Sequence, residues 1–201
     1  MRRRTWLCGL LLVSALSACG QKSASTAPAP SASPSAAAAA PDLLTTPPPW
    51  PAPTATEGAL VAKAQLPLLP QEALDEHIHA HLDVYYDGQP VTVPAYIGIV
   101  LRPVGISPLH THDSTGIIHV ESATRHPFYL GQFFTEWGVQ MASGCVAGQC
   151  PPARPVSVYV NGAPVQASPD AVEITAHAEI VVAIGTPPAS VPTSFTFPAG
   201  Y

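Results

Sequence analysis

The chain has 201 residues, of which 25 are proline and only 10% are charged. That length allows one domain or at most two small ones. The formal net charge is −5, and three of the eight Lys and Arg residues are Arg2, Arg3 and Arg4. A chain this poor in cations lacks the basic footprint that nucleic acid demands, so nucleic acid is excluded as a partner.

Arg2-Arg3-Arg4 and the apolar stretch Trp6–Leu16 read as the first two regions of an export signal, too short to span a bilayer as a stable helix. Leu16-Ser17-Ala18-Cys19 resembles a bacterial lipobox. The resemblance implies a signal peptide over residues 1–18, cleavage before Cys19, and acylation of Cys19 by chains such as palmitate. Two or more such chains make a stable anchor in a lipid bilayer. The expected location is the cell envelope, facing the periplasm or the exterior, and the outer membrane in a Gram-negative cell. An ordinary secretory signal with an unrelated cysteine is the alternative.

Residues 19–57 read as a lipid-anchored linker. Ser23–Thr56 is mostly Ala, Ser, Thr and Pro with a single charge, Asp42, so it cannot build a core. A spacer of this length at roughly 3.1 Å per residue reaches on the order of 100 Å. Trp50, alone among prolines, is its one hint of a partner contact.

Residues 58–201 are expected to form one β-rich domain. From His77 to Tyr86, Ile78, Ala80, Leu82, Val84 and Tyr86 alternate with His77, His79, His81, Asp83 and Tyr85, the period of a strand. Asp87-Gly88 is a hairpin turn pair, with Val91–Val93 as the return strand. A second hairpin is expected over Leu109–Glu121, around the turn cluster Asp113–Gly116. Leu130, Phe133, Phe134 and Trp137 follow helical spacing within Tyr129–Val139, and Gly138 is a stop. This stripe reads as core. Val156–Val165 is a third hairpin, around Asn161-Gly162, and Val172–Ile184 supplies one or two more strands. The order suggests an α+β domain, one helix on a mostly antiparallel sheet, with a β-grasp-like tail. A β-sandwich is the alternative.

Six of the eight histidines fall between His77 and His119. His77, His79 and His81 share one strand face, because side chains two apart point the same way. In the second hairpin, a two- or a four-residue turn puts His110, His112, His119 and Glu121 on one face. A three-residue turn would split them. Converging imidazoles and a carboxylate are the donors a transition metal takes. Met141 is the only methionine after Met1, which disfavours a Cu(I) thioether carrier and points to Cu(II) or Zn(II). The histidines have other readings: a solvated face, core residues satisfied by carbonyls, or a pH-responsive set. His126 and His177 are isolated and read as structural or surface residues. Cys145 and Cys150 are expected to form a disulfide outside the cytoplasm.

The strings Leu109–Asp113, Gly116–Glu121 and Leu130–Phe134 resemble those of a group of exported bacterial and archaeal proteins with no established activity, over roughly residues 75–140. The H-x-H element also resembles the cupins, but the spacing of the remaining cupin ligands does not match. Three functions follow. The leading one is a metal-binding envelope lipoprotein, a buffer, sensor or delivery protein, with an envelope protein as a further partner. The others are a mononuclear metalloenzyme with a His/carboxylate site, and a surface interaction module without metal. No serine or cysteine nucleophile motif is present.

Overall fold

A computed structural model describes residues 41–201. The signal, Cys19 and the linker up to residue 40 lie outside the described residues. In chain order the elements are α1 (Glu57–Lys63), β1 (Glu76–Tyr86), β2 (Gln89–Val91), β3 (Ile99–Leu101), β4 (Val104–Ile106), β5 (Leu109–His110), β6 (Ile117–Ser122), α2 (Leu130–Glu136), β7 (Met141–Ala142), β8 (Cys145–Val146), β9 (Val156–Val160), β10 (Ala163–Pro164) and β11 (Glu179–Ile184).

One mixed sheet organises the domain, in the order β10-β9-β11-β1-β6-β5, with β2 pairing β1 as well. Its centre is the parallel pair β1–β11, the first and last strands. The other pairings in this sheet are antiparallel. The fold is α+β, as the sequence suggests. A β-sandwich would need a second large sheet, and among the described residues β3–β4 and β7–β8 form two-stranded sheets only.

The two hairpin dipeptides behave as their chemistry dictates. Asp87 and Gly88 have φ of 47° and 75°, and Asn161 and Gly162 have 51° and 77°. Both central residues of a type I′ turn need positive φ, and this turn matches the twist of the flanking strands. In the first hairpin the return strand is Gln89–Val91, earlier than expected, because Tyr86 pairs directly with Gln89 across the two-residue turn.

One face of the sheet presents Ala80, Leu82, Val84, Ile118, Val120, Ile180, Val182 and Ile184 to the core. Leu130, Phe133, Phe134 and Trp137 of α2 and its C-cap join that core. The Gln132 side chain accepts a hydrogen bond from the Tyr129 N–H and caps the helix start, while Gly138, at φ 74°, ends it.

The ordered domain begins before residue 58. Trp50 is 2% exposed and meets Trp137 edge to face, with ring centroids 5.6 Å apart. The Trp137 indole N–H donates to the Trp50 carbonyl at 3.0 Å. Leu44 exchanges backbone hydrogen bonds with Gly138 and Gln140. The linker reading is therefore corrected for residues 41–57: a buried indole needs both apolar contact and a partner for its N–H, and Trp50 has both, its N–H donating to the Thr46 carbonyl. Helix α1 also lies at this boundary, which composition alone had hidden.

Candidate metal centre

The second face of the sheet carries the histidines. Strand β1 places His77, His79 and His81 there, and β6 lies antiparallel beside it, with His79 opposite His119 and His77 opposite Glu121. On the far side of β6, His110 of β5 lies opposite His119. This is the register that a four-residue turn requires. The two histidine motifs thus become one constellation because the second hairpin docks on the amino-terminal half of β1.

Two overlapping groups of donors result. His77, His79, His119 and Glu121 form one, and His110, His112, His119 and Glu121 the other, with the ligand atoms of each group within 4.8 Å of one another. His79, His110, His119 and Glu121 are buried, whereas the His77 and His112 side chains are 42% and 43% exposed. His79 and His119 meet edge to face at 4.6 Å, and His110 and His119 stack at 5.1 Å. Clusters of this kind could hold a metal ion.

Short donor–donor distances support that capacity. His110 Nε2 lies 3.2 Å from His112 Nε2, His77 Nε2 3.3 Å from Glu121 Oε1, and His119 Nδ1 3.4 Å from the same oxygen. Ligands bound at about 2.0–2.1 Å around a tetrahedral ion are about 3.3 Å apart. Neither Glu121 contact has hydrogen-bond geometry, and His119 Nδ1 and Glu121 Oε2 are buried without a hydrogen-bond partner. Buried polar atoms are normally satisfied, so these two are free to take a ligand.

The protonation states also suit a metal. Burial, with the His119 and His77 rings beside it, pulls the His79 pKa down to about 4, and burial does the same for His110. Both imidazoles are neutral at neutral pH, with a lone pair available. The Ser107 carbonyl accepts from His110 Nδ1 at 2.9 Å, which leaves the lone pair on Nε2, facing His112 Nε2. Burial opposes the Glu121 charge, but the His119 imidazole beside it and the neighbouring rings outweigh burial and hold its pKa below the ordinary range.

His81 stands apart from these two groups. Its Nδ1 lies 2.8 Å from Glu179 Oε2 and its Nε2 2.9 Å from the Thr115 carbonyl oxygen. Both neighbours accept, so both ring nitrogens carry protons. Desolvation works against the charge, but Glu179, with the Thr115 carbonyl, raises the pKa overall. His81, Asp83 and Glu179 make a third group of donors. Glu179 was not anticipated; its signal in the sequence is a lone acid heading the apolar run Ile180–Ile184.

The carboxy-terminal segment covers this face. Phe195 stacks on His81 at 3.8 Å and Tyr201 lies over His79 at 4.4 Å. His177 belongs to this cover, its Nε2 donating to the Tyr201 carbonyl, and His126 packs on Phe128. Asp113 accepts from the Thr115 N–H and shapes the turn before β6. Cys145 and Cys150 are joined by a disulfide with Cα atoms 4.4 Å apart.

Two further acids, Glu57 of α1 and Glu136 of α2, are buried with no local signal for it in the sequence. Glu57 Oε1 accepts from the Gly98 N–H at 2.7 Å, and burial pushes its pKa up to about 8 against that bond. Burial also drives Glu136 well above the ordinary range, Glu57 adds to this, and Ser107 works against it. A cavity of about 790 Å³ is lined by Pro48, Trp50, Tyr86 and Pro94 among others, and none of the histidines lines it.

Comparison with protein families, with curated proteins and with solved structures finds no match to this chain.

Proposed function

We propose that the chain is an envelope lipoprotein that binds a transition metal, Cu(II) or Zn(II), as a buffer, sensor or delivery protein. The observation that carries the metal reading is the set of donor distances around Glu121 and His112, which have the length found between ligands that share an ion, with the two Glu121 contacts poor as hydrogen bonds. Imidazole and carboxylate donors suit both metals. Cys145 and Cys150 are tied up in their disulfide and offer no thiolate. The lipobox over Leu16–Cys19 supports the envelope location.

The test is metal content. The full chain, exported and free of any histidine tag, is expected to retain tightly held Cu or Zn by mass spectrometry. A His119→Ala/Glu121→Ala variant is expected to lose it. An untagged wild-type protein without stoichiometric metal after Cu(II) and Zn(II) titration would sink the reading. Replacing Cys19 by Ala is expected to move the protein from the membrane to the soluble fraction.

A catalytic use of the centre is the second reading, and one observation favours it. The exposed edge at His112 opens on a cleft of about 440 Å³, lined by Glu72, Tyr96, Ile99, Val104 and Ile106. An ion reachable from such a cleft keeps a position for substrate.

A further inference from the structure

We infer that the centre holds two metal ions, one on each side of β6, with Glu121 shared between them. The inference rests on the metal reading above and goes beyond it in number, arrangement and reactivity. Two donors on opposite sides of one ion are separated by about twice the bond length, about 4.2 Å. The six donors do not form a single group within 4.8 Å; they form two groups that overlap at His119 and Glu121. One ion therefore cannot use them all.

The sheet explains the division. Strand β6 lies between β1 and β5, and neighbouring strands are about 4.8 Å apart. His77 and His79 stand on one side of the β6 donors, and His110 and His112 on the other. The shared residues have donor atoms to spare. Glu121 Oε1 faces His77 Nε2 and His119 Nδ1, while Oε2 is buried with no partner.

The two positions are unequal. His77, His79, His119 Nδ1 and Glu121 Oε1 give the first ion four protein donors, a closed set. His119 belongs to both groups; with its Nδ1 given to the first ion, His110 Nε2, His112 Nε2 and the remaining Glu121 oxygen leave the second ion three, and His112 is its exposed member. Three protein ligands and an open position are the pattern of a reactive or exchangeable ion, whereas four mark a retained one. The second position is thus where the ion exchanges. Two divalent ions facing one carboxylate keep excess positive charge, so the open position takes an anion such as hydroxide.

The test is a Cu(II) titration of the full untagged chain, followed by native mass spectrometry and electron paramagnetic resonance. Two equivalents are expected to bind. The first gives an isolated Cu(II) spectrum. With the second, the integrated intensity per copper falls and a half-field transition appears, because bridged ions at short range couple. His77→Ala/His79→Ala and His110→Ala/His112→Ala are each expected to bind one uncoupled ion. Glu121→Gln, nearly isosteric, is expected to abolish the coupling. One equivalent in the wild type would overturn the two-ion centre and leave the metal reading intact. Two equivalents at full intensity without a half-field transition would overturn the sharing. No uptake at all would overturn both.

Discussion

His81 and Glu179 lie directly opposite each other in the parallel β1–β11 pair, with Nδ1 2.8 Å from Oε2 across a sequence separation of 98 residues. Both side chains are buried, and the Thr115 carbonyl takes the other ring N–H. Removing one partner of a buried ion pair typically costs about 3–5 kcal/mol, so Glu179→Leu is expected to destabilise by that order in urea at pH 6. The folded pKa of His81 is raised. Its contribution is therefore full below the unfolded value of 6.5 and is lost as pH rises through the folded one. The gap between wild type and Glu179→Leu should narrow above that range; a gap independent of pH would refute the assignment.

The metal-free protein is expected to respond in the opposite sense at low pH. The pKa values of His79 and His110 fall from 6.5 to about 4 on folding, so the unfolded chain binds more protons between these values. Stability present above pH 6.5 is lost as pH falls toward 4. Urea midpoints of chelator-treated protein should decline over that interval. The decline should flatten in a His79→Gln/His110→Gln variant.

Glu57 and Glu136 work against the fold as pH rises. The Glu57 pKa goes from 4.5 to about 8 on folding, so its stabilising contribution is present below 4.5 and is lost as pH climbs through 8. Glu57→Gln keeps an oxygen for the Gly98 N–H and removes the titration. Relative to wild type the variant is expected to gain on the order of 1–3 kcal/mol between pH 5 and pH 9. Equal pH dependence in both proteins would show that Glu57 ionises freely.

Gly98 lies against Leu109 and His110, at the edge of the histidine cluster. Its φ is 73°, and a Cβ there would overlap the Leu109 carbonyl oxygen and come within 3.0 Å of His110 Cβ. Gly98→Ala is expected to cost about 1–3 kcal/mol in backbone strain alone. It should also weaken metal binding on the β5 side selectively, because it displaces His110. Unchanged affinity for both Cu(II) equivalents would count against this.

Where the domain starts can be measured. A chain beginning at residue 58 lacks Trp50 and Glu57, whereas one beginning at residue 41 keeps both. Loss of a buried tryptophan costs about 3–5 kcal/mol, so the shorter chain should unfold at clearly lower urea. Trp50→Ala in the full chain should reproduce most of the difference.

The period-two strand at His77–Tyr86, the I′ turns and the aromatic helix were legible because each is a local signal. The pairing of β1 with β6 was not: it joins residues about 40 apart, and no local rule says which strand docks beside which. The face shared by His110, His119 and Glu121 could be derived from parity, whereas the presence of His79 there could not. Glu179, Glu57 and Glu136 were missed for a related reason. A buried acid looks like a surface one until the fold closes over it. Trp50 was hidden by composition, since Pro- and Ala-rich flanks do not reveal that a single indole will be buried.

The margins of the sheet set a limit on assembly. An open margin offers unpaired N–H and C=O groups on which a further strand can grow, and natural sheets blunt it with short strands and proline. Here the outermost strands are short: Leu109–His110, wholly buried, and Gln89–Val91 and Ala163–Pro164, each with a proline that has no N–H to give. Among the described residues the margins of this sheet therefore give a second copy little ladder to extend, and recognition there falls to side chains.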